Sequence, residues 1–217
     1  VTLSAANGWT AKVDNLPANE NGRRIGYAWV EANVPKGYAL TDTSVNGTVT
    51  TLTNSHTPET TEAIIAEAEK LVGVPYLWGG MSAKGVDCSG LVRISHIMNG
   101  ILLPRNASQQ IKCGDRVEMD VDPSFHEDGS RQNPDGSFSE AFVGQMKERV
   151  RNLRRGDLVY FGTPATAEKP MRVTHVGIYL GGNRIIHSSH HVRINSLIPG
   201  EADYYENAHR LIAATRL

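Results

Sequence analysis

Only two cysteines, Cys88 and Cys113, occur in the 217 residues. At most one bridge forms, and a disulfide framework is excluded. Neither sign of charge dominates: 22 Lys and Arg face 23 Asp and Glu, a net charge of -1. That balance excludes a non-specific nucleic-acid binder, whose affinity comes from a basic surface. No uninterrupted apolar run exceeds four residues, so no membrane span is expected. The sequence starts at Val1 with neither a charged start nor an apolar signal core, which reads as a processed form. What is present is an ordinary globular composition, 40% hydrophobic and 21% charged, in a chain long enough to bury a sizeable core in one or two domains.

Residues 1–58 are rich in Gly, Asn and Thr. Short β-prone pieces (Val1–Ser4, Trp9–Val13, Ile25–Glu31, Val49–Thr53) alternate with the turn dipeptides Asn7-Gly8, Asn21-Gly22 and Asn46-Gly47, whose residues tolerate positive φ. This pattern predicts a small all-β unit. Helical spacing begins only after Pro58. Ile64, Ala68 and Leu71 recur at i, i+4 and i+7 behind a Thr60/Thr61 cap, and a second helix starts at Asp87 or Cys88 and stops at Asn99-Gly100. The boundary is placed between the units 1–58 and 59–217. Residues 114–150 read as an inserted loop region, with a hairpin at Pro134-Asp135-Gly136; the carboxylates there lack the spacing of a calcium loop. Strands follow at Leu158–Phe161, Val173–Leu180, Arg184–Ser188, Val192–Asn195 and Leu211–Arg216. Helices first and antiparallel strands afterwards make an α+β layout.

Cys88 enters a helix, where the positive end of the macrodipole favours a thiolate. By itself it reads more readily as a small buried hydrophobe, the usual fate of a free cysteine. Glycines 79, 80, 85 and 90 would let backbone approach a cleft. His175 lies on a strand and shares a face with Gly177. If Gly181-Gly182-Asn183 is a three-residue loop, Leu180 pairs with Arg184 and Gly177 with His187, which puts His187 on the face of His175 as its diagonal neighbour. A two-residue loop would turn His187 away. In the first arrangement His187 orients His175, and His175 takes the Cys88 proton. His187, His190 and His191 also invite a zinc reading, but no carboxylate or cysteine completes the set. Cys113 reads as a free structural thiol, and Asp157 as the closure of a turn.

Taken jointly, Gly73-Val74-Pro75-Tyr76-Leu77-Trp78-Gly79-Gly80, Val86-Asp87-Cys88-Ser89-Gly90-Leu91-Val92, Leu103-Pro104-Arg105, Arg155-Gly156-Asp157-Leu158-Val159-Tyr160-Phe161, His175-Val176-Gly177-Ile178-Tyr179 and Ile186-His187-Ser188-Ser189 resemble the NlpC/P60 family of papain-like cysteine peptidases. The resemblance implies Cys88 as nucleophile, His175 as base, His187 as the third, orienting residue and Tyr76 near the developing oxyanion. Asp87-Cys88-Ser89 and Val192-Arg193-Ile194-Asn195-Ser196 resemble the YkfC-like branch, in which Asp87 and Ser89 would hold the free amine of an N-terminal L-Ala. That branch usually carries SH3-like domains before its catalytic domain.

Here the preceding segment instead resembles the C-terminal part of a Cna B-type sandwich, through Asp14-Asn15-Leu16-Pro17, Tyr27-Ala28-Trp29-Val30-Glu31, Val34-Pro35-Lys36-Gly37-Tyr38 and Thr53-Asn54-Ser55-His56-Thr57-Pro58. In such modules Glu31 would be the buried acid and Asn54 the acceptor of a Lys–Asn isopeptide bond. By this resemblance the lysine strand would lie upstream of Val1, Lys12 and Lys36 sit elsewhere in the pattern, and no isopeptide bond is expected.

Together these resemblances imply a monomeric cell-envelope hydrolase that cleaves the γ-D-Glu–diamino acid bond of peptidoglycan stem peptides without cofactor or metal. A recycling role in the cytoplasm is the alternative location. The competing functions are a surface protein with an inactive peptidase-like domain and a papain-like amidase on a non-wall substrate.

Overall fold

The computed structural model describes residues 1–32, 34, 38–56, 58–120 and 131–217. In the N-terminal segment β1 (Asn19–Glu20) and β2 (Arg23–Arg24) pair across Asn21-Gly22. Both turn residues have positive φ, 50° and 77°, as a type I′ turn requires. A longer hairpin joins β3 (Tyr38–Asn46) to β4 (Val49–His56) across Gly47 and Thr48.

The pieces Val1–Ser4, Trp9–Val13 and Ile25–Glu31 are not strands. They find no ladder partner among the described residues, and an unpaired strand gains nothing over solvated backbone. Conversely, Tyr38–Asn46 carries no apolar alternation and is exposed at seven consecutive positions; only its ladder with β4 makes it a strand. Lys36 and the run Pro35–Gly37 lie outside the described residues. Asn54 donates its amide to both Glu31 oxygens, at 3.0 and 2.9 Å, while Lys12 pairs with Asp14 in solvent.

Helix α1 (Pro58–Glu69) starts before Thr60 and Thr61, which fall inside its first turn. Proline is tolerated there because the first-turn N–H groups have no helical acceptor. The short pair β5 (Met81–Ser82) and β6 (Gly85–Val86) leads into α2 (Cys88–Ile97), capped by the Asp87 side chain on the Gly90 amide. Then come α3 (Ala107–Gln110), β7 (Asp115–Arg116) and α4 (Glu140–Val150).

Helix α4 corrects the expectation of a loop across 114–150. Ser139 caps it, and Phe142, Met146 and Val150 form an i, i+4, i+8 stripe, all buried. The hairpin around Pro134-Asp135-Gly136 is present, closed by the Asn133 amide on Ser137 O at 2.8 Å. The Val121–Pro123 part of the acidic stretch lies outside the described residues.

Strands β8 (Leu158–Thr163), β9 (Arg172–Gly181), β10 (Arg184–Ser189), β11 (His191–Ser196) and β12 (Leu211–Arg216) form a six-stranded antiparallel sheet with β7, in the order β11-β10-β9-β8-β12-β7. Leu158, Tyr160, Val176, Ile178, Ile186 and Val192 point to the side of α1 and α2 and pack with Ile64, Ile65, Ala68 and Leu91. Val159, Phe161, Tyr179, Ile185 and Leu197 point the other way, onto Phe142 and Met146 of α4. Helices on both faces of one antiparallel sheet make the expected α+β fold. Asp157 closes the turn before β8, accepting from the Arg154 amide at 2.7 Å and from Arg216.

Candidate active site

The β9–β10 hairpin reaches the expected face by an unexpected route. Arg184 pairs with Gly181, so the loop has two residues, Gly182 and Asn183, with φ of 57° and 63°. Leu180 is then skipped as a bulge, and Ile185 pairs with Tyr179 and His187 with Gly177. Two residues in the left-handed region favour the tight turn, and the bulge restores the alternation that the turn alone would have inverted. His187 therefore shares the face of Gly177 and His175, although Leu180 does not pair with Arg184.

Gly177–His187 is the last pair between these strands, while β10 continues beside β11 to Ser189–His191. Beyond the fork lies the start of α2. Ser188 Oγ donates to Val86 O at 2.7 Å, and the Val176 N–H faces the Cys88 sulfur. Cys88 thus sits at the first turn of α2 against the β9 backbone at Val176, the residue that follows His175. His175 Nε2 is 2.8 Å from His187 Nδ1, the rings meet edge to face, and Tyr205 packs on both. His187 Nε2 in turn lies 2.9 Å from Asn195 Oδ1.

Burial decides the resting charges. It pushes the Cys88 thiol up, the Asp87 charge adds to this, and the Val176 and first-turn amides oppose it. The helix terminus alone suggested a lowered thiol; desolvation outweighs it. Burial likewise pushes both histidines down, with Arg193 and the neighbouring ring adding for His175 and the Asn195 hydrogen bond opposing for His187. The free site therefore holds a thiol and two neutral imidazoles. Tyr76 is half-buried, and desolvation with the nearby Cys88 and Asp87 charges raises its hydroxyl, so it remains an O–H donor at neutral pH.

Asp87 is more occupied than an empty amine clamp. Arg105 grips both carboxylate oxygens, at 3.0 and 2.6 Å. The Gly90 and Gly79 amides donate to it at 2.7 and 2.9 Å, and Ser89 Oγ bridges Asp87 and Arg105. Burial alone would raise this carboxyl, but Arg105 and the two amides together hold it below the ordinary value. Gly80 and Gly90 serve packing rather than a cleft: a Cβ on Gly90 would strike the Gly80 carbonyl, and one on Gly80 the Gly85 carbonyl. Trp78 is 87% exposed.

Both cysteines are free thiols. His190 occupies the turn between β10 and β11 with φ of 64°, and no cluster of three metal-ligating side chains occurs among the described residues. Arg105, Asn195 and Tyr205 are the site neighbours to which sequence reasoning gave no role. Arg105 and Asn195 stand in quoted motifs; Tyr205 arrives from a connection with no periodic signal.

The NlpC/P60 family model matches residues 73–210, and that of the Cna protein B-type domain matches residues 1–55. The chain belongs to the NlpC/P60 family. Over 129 residues it is 32% identical to the γ-D-glutamyl-L-lysine dipeptidyl-peptidase of Bacillus subtilis (strain 168), covering 59% of this chain and 32% of that one. Over another 129-residue alignment it is 33% identical to the bifunctional muramidase/DL-endopeptidase CwlT of the same organism, with 59% and 29% covered.

The chain thus spans about a third of the length of these curated relatives. A lipoprotein-like NLP/P60 protein of Staphylococcus aureus subsp. aureus Mu50 has a solved structure that matches with a TM-score of 0.49 and 28% identity, over 75% of this chain and 42% of that one. Among the described residues of this NlpC/P60 member, no helix is long and apolar enough to cross a membrane.

Proposed function

We propose that the unit 59–217 is a cysteine peptidase that hydrolyses the γ-D-Glu–diamino acid bond of peptidoglycan stem peptides in the cell envelope, with 1–58 as a separate β-rich unit. The observation that carries this reading is the placement of Cys88 at the start of α2 against the amide of Val176, the residue that follows a His175 hydrogen-bonded to His187.

In the reaction the Cys88 S–H proton passes to His175 as sulfur attacks the γ-carbonyl carbon. The oxyanion is stabilised by the Tyr76 hydroxyl and first-turn amides. The C–N bond breaks, His175 returns the proton to the leaving amine, and a thioester remains on Cys88. Water, deprotonated by His175, cleaves the thioester and regenerates the thiol. No step uses a cofactor or metal.

Recognition of a free L-Ala amine by Asp87 and Ser89 competes with Arg105, which already neutralises the carboxylate. A preference for the free amine is therefore expected rather than an absolute requirement. Mass spectrometry of products from L-Ala-γ-D-Glu-diaminopimelate, with the alanine amine free or blocked by N-acetylmuramoyl, tests this. Faster release of the diamino acid from the free peptide is the expected result. Cleavage of neither, or equal cleavage by Cys88→Ala, would overturn the proposal.

A further inference from the structure

The hydrogen-bond chain behind His175 does not end at His187, and its far end fixes the direction of every link. The Asp203 carbonyl can only accept. It receives the Ser196 amide at 3.0 Å and Asn195 Nδ2 at 2.7 Å. Asn195 must therefore turn its Nδ2 to Asp203 and its Oδ1 to His187 Nε2, 2.9 Å away. An amide oxygen accepts only, so His187 carries its proton on Nε2. In a neutral imidazole the other nitrogen is then a lone pair, and His187 Nδ1 accepts from His175 Nε2 across 2.8 Å. The remaining nitrogen, His175 Nδ1, is left bare as the proton acceptor the Cys88 reaction needs.

We propose that Asn195 is a positioning residue that sets the tautomers of both His187 and His175 and so makes Nδ1 of His175 the general base. The proposal rests on the cysteine-peptidase reading above. Asn195 is 8% exposed and sits two residues along β11 from Arg193, which pairs with His187. Its anchor is held from outside by the two-point ion pair of Arg184 with the Asp203 carboxylate, and by the Tyr205 amide on Ser196 O at 2.8 Å.

Among the described residues, the charged and titratable groups acting on the two imidazoles are Arg193 and His191 from β11, together with Tyr205 ahead of β12, which packs on both rings. None is a carboxylate, so an amide dipole rather than a negative charge orients this chain. Arg193 further disfavours protonation of either ring, which preserves the neutral state in which tautomer choice matters. When His175 becomes an imidazolium, its Nε2–H remains directed at His187 Nδ1, so proton uptake at Nδ1 needs no ring flip.

The test combines imidazole ¹⁵N NMR with kinetics on Asn195→Leu and Asn195→Asp. In the wild type both histidines should be protonated on Nε2. Asn195→Leu removes the acceptor; the His187 tautomer should mix, and kcat should fall about 10- to 100-fold with KM within about twofold. Asn195→Asp keeps an acceptor oxygen for His187 Nε2 while giving up the donor to the Asp203 carbonyl. It should restore kcat to within about fivefold of wild type and move the acid limb of kcat/KM upward, because a carboxylate favours the imidazolium.

An Nδ1–H tautomer of either histidine in the wild type would overturn the proposal. So would an Asn195→Leu protein with unchanged tautomers and kcat, or an Asn195→Asp protein as impaired as Asn195→Leu at the same unfolding midpoint. If Asn195→Leu does not fold, the wild-type spectrum and the Asn195→Asp profile decide. A wild type that cleaves no stem peptide but shows these tautomers would count against the peptidase reading and not against the role of Asn195.

Discussion

Arg105 holds both oxygens of the Asp87 carboxylate, at 3.0 and 2.6 Å, beside the Cys88 thiol. The pair joins the loop before α3 to the cap of α2, so one side chain sets both the local charge and the angle at which Cys88 is presented. Asp87 is buried and Arg105 is 29% exposed in its side chain.

Arg105→Met should leave the Asp87 carboxylate buried without its partner. The expected loss is at the low end of the about 3–5 kcal/mol for breaking a buried pair, because Arg105 is partly solvated. Urea unfolding measures it. An unchanged midpoint would mean that the Gly79 and Gly90 amides suffice alone.

The resting site is predicted to be a thiol beside a neutral imidazole. Burial raises the Cys88 thiol above its ordinary 9.0, so iodoacetamide labelling should be slow at neutral pH and accelerate with an inflection above that value. A Cys113→Ser background removes the second thiol. An inflection below pH 7 would instead show a preformed thiolate–imidazolium pair.

His175 and His187 are both pushed below their ordinary 6.5 by burial. The unfolded chain therefore takes up protons below pH 6.5 that the folded protein does not. Their contribution is complete above 6.5 and declines as pH falls towards the folded values, by at most about 1.4 kcal/mol per pH unit for each ring. Asp87 has the opposite chemistry and a lower window: its contribution is complete above 3.8 and lost as pH falls through its depressed folded value. Unfolding at pH 7.5 and pH 5 thus isolates the histidines. Stability should drop, and His187→Gln should lessen the drop; a flat profile would contradict burial of neutral rings.

Helix α4 belongs to the core of the second sheet face. Met146→Ala, at a fully buried position, should cost about 2–5 kcal/mol. A loss under about 0.5 kcal/mol would make α4 a peripheral attachment.

Much of this architecture was legible because periodicity and burial coincide in the sheet and in α2. His175 and His187 could be linked by strand alternation, but only the Leu180 bulge shows how a two-residue loop preserves their common face. Alternation counts residues and cannot see one skipped. Helix α4 carried its Phe142, Met146 and Val150 stripe openly, yet the polar residues ahead of it made the whole stretch read as loop. Tyr38–Asn46 was hidden for a different reason: its strand state comes from cross-strand hydrogen bonds and not from a buried face. The Asp87–Arg105 and His187–Asn195 contacts join elements through side chains, so no local pattern announces them, although both arginine and asparagine stood in recognisable motifs.

The central claim is that Cys88 is acylated by the γ-D-Glu side of a stem peptide. Rapid-quench mass spectrometry of the intact protein with L-Ala-γ-D-Glu-L-Lys tests it directly. The account predicts a transient L-Ala-γ-D-Glu adduct mapped to Cys88, appearing with free lysine and absent from Cys88→Ala. Release of lysine by Cys88→Ala at the wild-type rate, or an adduct on another residue, would contradict it.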